Sequence, residues 1–142
     1  MGLDMGLVWK NAKIIDVPQF VYDMCPFTQN PFYLIDDDYN DLHILYFNRY
    51  YSLREDIIAK TKIEPESKTT IGIEEVNIIL EILLDYMNKK YWEDGHDKCK
   101  WDYEYIRKPI MYSICKLFWL INYMNTTKDP VELYWYDRTD GF

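Results

Sequence analysis

The sequence predicts an α+β domain, a small antiparallel sheet of about three strands packed against three helices. Apolar strand patterns stand towards both ends of the chain, and three apolar stripes at three- and four-residue spacing lie between them. Length is the third indication: 142 residues suffice for one hydrophobic core and are short for two. Residues 1–142 are therefore expected to form one domain, with a Pro-rich aromatic loop at about 18–41.

Leu3 to Ile15 holds Leu7, Val8, Trp9, Ile14 and Ile15 with few breakers after Gly6, which predicts a strand or a short hairpin around Lys10-Asn11. Pro18, Pro26, Pro31 and the run Asp36-Asp37-Asp38 then interrupt regular structure repeatedly. The rings of this stretch, Phe20, Tyr22, Phe27, Phe32 and Tyr33, imply a loop that packs onto the body. Leu42, Leu45, Tyr46, Arg49, Leu53 and Ile57 fall on one stripe and predict a helix from Asp41 to about Lys60, capped by Asp38 or Asp41.

Thr69-Thr70-Ile71 reads as a short strand ending at the Gly72 turn. A second helix is predicted from Ile73 to about Tyr91, with Ile73, Val76, Ile79, Leu80, Leu83, Leu84 and Met87 inward and Glu74 and Glu75 in the first turn, where the macrodipole favours anions. Trp92 to Glu104, punctuated by Gly95, reads as an exposed loop. The third helix begins near Arg107 or Pro109, with Ile110, Ile114, Leu117, Phe118, Ile121 and Met124 as its buried stripe. Val131, Leu133 and Trp135 alternate with Glu132, Tyr134 and Tyr136 in the clearest strand pattern of the chain. The first and last strands are each marginal alone, so they are expected to share one antiparallel sheet with the helices over one face.

Composition narrows the function classes. The 14 Tyr and 5 Trp accompany a net charge of -8, a combination that favours contact with protein and repels phosphate backbones. Cys25, Cys99 and Cys115 are an odd, widely spaced set without a cleavable leader, so a reduced cytoplasmic setting is expected. Gly2 meets one requirement for myristoylation, but Gly6 stands where Ser or Thr is wanted. Asn125-Thr126-Thr127 matches a glycosylation acceptor and reads more simply as a helix-ending turn. The longest apolar stretch, Ile110 to Met124, is broken by Ser113, Lys116 and Asn122, so no membrane span is expected.

The opening Met1-Gly2-Leu3-Asp4-Met5 resembles a family of small uncharacterised proteins of bacteriophages and prophages that begin Met-Gly-Leu-Asp-Met-Tyr-Leu. Gly6 replaces the family's Tyr. The order of elements is also similar, with an N-terminal strand, a tyrosine-rich helix, a short strand before an acidic helix, a third helix and a closing aromatic strand, Leu133-Tyr134-Trp135-Tyr136. The resemblance implies an accessory protein of a mobile element, acting in bacterial cytoplasm.

No catalytic constellation is assigned. Asp94, His96, Asp97 and Cys99 supply four potential ligands, but a structural zinc site pairs two such clusters, and a solvated polar loop is the plainer reading. The Asp36 cluster lacks the alternating spacing of a calcium loop. Cys115 reads as a small buried hydrophobe. Lys98, Lys100, Arg107 and Lys108 flank Trp101, Tyr103 and Tyr105, yet Asp97, Asp102 and Glu104 cancel most of that field, so direct nucleic-acid binding is not expected. No cofactor or metal is expected.

What remains is a lopsided charge. Residues 1–41 carry Asp4, Asp16, Asp23, Asp36, Asp37, Asp38 and Asp41 against Lys10 and Lys13. Such a patch can occupy the basic groove of a nucleic-acid-handling host protein, so the expected function is non-enzymatic binding and antagonism of a host defence factor. The expected contacts are Asp36, Asp37, Asp38, Tyr39 and Asp41 in one segment, and Trp92, Glu93, Asp94, Trp101, Asp102 and Tyr103 in another. A self-associating or virion subunit is the alternative, using Tyr134, Trp135 and Tyr136 on an edge strand. A small metal-dependent enzyme is the second alternative.

Overall fold

The computed structural model describes residues 3–12, 17–23, 35–36, 41–89 and 107–139. In chain order the elements are β1 (Asp4–Lys10), α1 (Gln19–Asp23), β2 (Ile35–Asp36), β3 (Asp41–Asn48), α2 (Tyr51–Lys60), β4 (Lys68–Ile71), α3 (Ile73–Lys89), α4 (Lys108–Thr126) and β5 (Glu132–Arg138). The strands form one antiparallel sheet in the order β2-β3-β1-β5-β4. The class is α+β, as the sequence predicts. The first and last strands share this sheet as expected and pair directly at its middle: Asp4 lies opposite Arg138 and Lys10 opposite Glu132.

The inward face of the sheet carries Met5, Leu7 and Trp9 of β1, Leu42, Leu45 and Phe47 of β3, Ile71 of β4, and Leu133 and Trp135 of β5. Against it pack Leu53 and Ile57 of α2, Val76, Ile79, Leu83 and Tyr86 of α3, and Ile110, Leu117 and Leu120 of α4. Each helix presents these residues at spacings of three, four or seven, which is what aligns them on one stripe. Burying such side chains contributes roughly 1.5–3 kcal/mol apiece. Pro109 sits in the first turn of α4, where its missing N–H costs nothing.

The predicted helix from Asp41 to Lys60 is instead a strand followed by a helix. The register skips between Leu7 and Val8, which face Leu45 and His43, so Ile44 is an extra residue in β3. This bulge turns Leu42, Ile44, Leu45 and Phe47 all inward. A strict alternation thereby becomes a spacing that imitates a helical stripe. Asp41 consequently starts a strand and caps no helix. Arg49, at φ 66, turns the chain out of β3 while its N–H donates to Leu3 O at 2.8 Å, and α2 begins two residues later.

Three further expectations are corrected. Leu84 and Phe118 point outward, and Ile82, Tyr86 and Leu120 fill the inward stripes in their place. Cys115, expected to be buried, is exposed. β5 is an internal strand between β1 and β4, with Trp135 fully buried, so Tyr134, Trp135 and Tyr136 form no edge. Among the described residues no helix is long and apolar enough to cross a membrane.

Candidate functional site

The face of the sheet away from the core carries a connected set of polar side chains. Register sets Gly6 between Tyr46 of β3 and Tyr136 of β5, and Val8 between His43 and Tyr134. The His43 ring tilts over Gly6 to reach Tyr136, with Nε2 and Oη 2.6 Å apart and the donor set by the ring's tautomer. Gly6 makes this possible by lacking a side chain. A Cβ there would collide with Leu45 O and come within 2.8 Å of His43 Nε2 and 2.9 Å of Tyr136 Cε1. Beside them Tyr46 Oη donates to Asp4 Oδ1 at 2.6 Å, and Asn48 Nδ2 donates to the same oxygen at 2.8 Å.

Burial favours the neutral forms of His43, Tyr46 and Tyr136. Burial, with Lys116 and Arg138 nearby, lowers His43 to about 4. Burial and the hydrogen bond to Asp4 push Tyr46 up to about 12. Tyr136 lies well above the ordinary tyrosine range through burial and the neighbouring Tyr46 and Asp4. A general base works best near the operating pH with its lone pair open to substrate. His43 lies below that range and its Nε2 is engaged by Tyr136, so the network ties β1, β3 and β5 in register. Lys116 reaches from α4 to donate to Ile44 O at 3.2 Å, anchoring the bulge that places His43.

The outer end of the sheet has a different character. Ile35 pairs with Leu42 and Asp36 with Asp41, so two aspartates stand directly opposite one another on the β2–β3 edge pair. Asp41 Oδ1 accepts the Asn11 N–H at 2.9 Å, tying this edge to the end of β1. Asn11 has φ 57, a left-handed conformation that Asn tolerates. Nearby, Lys10, Asp41, Lys68, Thr70, Glu132 and Tyr134 line an open groove of about 640 Å³. Among the described residues its lining holds two lysines and two carboxylates.

A third cluster joins α2 to β5. Arg54 grips the buried Asp137 through Nε at 2.8 Å and Nη2 at 2.9 Å, and the Glu66 N–H donates to the same carboxylate at 3.0 Å. Asp137 is 1 % exposed. The hydrogen bond to Asp137 raises the Arg54 pKa further, so the guanidinium keeps its charge.

Of the contact residues expected from sequence, Asp36 and Asp41 fall within the described elements and are brought together by the β2–β3 ladder. Asp37, Asp38, Tyr39, Trp92, Glu93, Asp94, Trp101, Asp102 and Tyr103 lie outside the described residues, as does the Asp94 to Cys99 ligand set. Among the described residues no group of three or more His, Cys, Asp or Glu side chains is placed to hold a metal ion. Sequence reasoning missed the pairing of His43 with Tyr136. The available signal was Gly6, an isolated glycine inside an apolar strand, which marks close approach by a neighbour. No family model, curated protein or solved structure matches the chain.

Proposed function

We propose that this is a non-enzymatic accessory protein of a phage or other mobile element that acts in bacterial cytoplasm. It binds a host protein with a basic, nucleic-acid-handling groove and antagonises it by presenting carboxylates in place of phosphates. The observation that carries this reading is the Asp36–Asp41 pair at the outer end of the sheet. Like charges set opposite each other by strand register oppose folding, and the Asp41 carboxylate accepts the Asn11 N–H. Two more aspartates, Asp37 and Asp38, lie between them in sequence. A basic groove relieves this repulsion on binding, and the negative field accelerates encounter. Pairing of another strand onto the same edge is discouraged by the same charges.

The test is affinity capture from host lysate with wild-type protein and the triple variant Asp36→Lys/Asp37→Lys/Asp38→Lys, at low and high salt. The wild type retains its partner at low salt and loses it as salt rises, and the variant retains none. A partner held equally by both proteins at every salt concentration overturns the mimicry. Relief of the repulsion has its own signature: Asp36→Thr raises folding stability by about 0.5 kcal/mol while weakening capture.

A further inference from the structure

We propose that α4 is a homodimer interface, on which a second copy of this chain lays its own α4 antiparallel. Met111, Cys115 and Phe118 form an exposed stripe along the helix, with Met111 43 % and Phe118 55 % exposed. Half-buried Ile114 and Ile121 flank it, so Met111, Ile114, Phe118 and Ile121 repeat at spacings of three and four, the pattern that lets two helices interlock. Two-fold pairing with its axis level with residue 116, whose own side chain faces the core, sets Met111 against Ile121 of the second copy and Ile114 against Phe118. Cys115 then lies one residue from the axis.

Charge selects the occupant. The chain carries -8, so two copies repel unless they meet where carboxylates are missing. Among the described helices α1 holds Asp23, α2 holds Glu55 and Asp56, and α3 holds Glu74, Glu75, Glu81 and Asp85, whereas α4 holds no acid. Its own last turn also lacks a basic residue to complement the helix dipole. Antiparallel pairing supplies two, because Arg107 and Lys108 at the start of one α4 come opposite Asn125 and Met124 in the last turn of the other. This interface shares no residue with the acidic edge, so either proposal can fail alone.

Sedimentation of the full chain across concentrations tests the interface, using wild type and Phe118→Glu, with circular dichroism confirming that the exposed substitution leaves the fold intact. The wild type sediments as a concentration-dependent dimer, and Phe118→Glu weakens association by at least about tenfold. In a Cys25→Ser/Cys99→Ser background, diamide, taking up two electrons and two protons, joins the two Cys115 thiols as an intermolecular disulfide. A monomer at all concentrations overturns the proposal. So does a dimer that Phe118→Glu leaves intact, or a stripe whose substitution only releases a host protein from a monomeric chain.

Discussion

Gly6 shows how much one missing side chain can carry. The space a methyl group would need is already occupied by His43, Tyr136 and the Leu45 carbonyl, the last of which is backbone and cannot swing aside. Gly6→Ala is therefore expected to destabilise the fold by about 3 kcal/mol, the upper part of the overpacking range, and to break the Tyr136–His43 hydrogen bond. Chemical denaturation measures the first, and the His43 ring nitrogen shifts in NMR report the second. A variant as stable as wild type would show that the strands have room to part.

His43 gives the fold a pH dependence of defined sign. Its folded pKa of about 4 lies below the ordinary 6.5, so between those values the unfolded chain binds the extra proton. Its contribution is complete above about pH 6.5 and is lost as the pH falls towards 4, amounting to roughly 3 kcal/mol over that window. Urea unfolding at pH 7 and pH 4.5 should show a larger loss for wild type than for His43→Gln, because the carboxylates titrate in both. Equal losses would mean that the ring is solvated and titrates normally.

Individual elements were legible in the sequence where one period governed them. α3, α4, β4 and β5 follow single periodicities, and each begins or ends within a few residues of its expected place. β3 was illegible because its bulge mixes two periods, and Leu42, Leu45 and Leu53 then read as one continuous stripe. Phe118 and Cys115 were assigned inward because an apolar helix offers more apolar positions than one face can bury. Of the candidate site, the acidic run was visible as composition, but the direct opposition of Asp36 and Asp41 depends on strand register, which no local pattern reveals. Long-range pins were hidden for the same reason. Arg54 and Asp137 are 83 residues apart and join α2 to β5. Asp137→Ala strands a half-buried guanidinium and the Glu66 N–H, and is expected to cost about 3 kcal/mol. Thermal denaturation of Asp137→Ala and the Arg54→Met/Asp137→Leu double variant checks this. The double variant should recover much of the loss, and an unaltered midpoint in the single variant would deny the pin any role.

At the scale of the whole molecule, the sheet is organised around its two most distant strands. β1 and β5 lie side by side at its middle, so most of the core has a boundary on both. During synthesis β1 leaves the ribosome more than a hundred residues ahead of β5, a delay on the order of ten seconds at usual elongation rates. For that interval β1 has β3 on one edge and no strand on the other, and Leu133 and Trp135 have not arrived to seal the interior. The sheet thus cannot close before β5 is made, and a product stalled short of β5 presents an open strand edge.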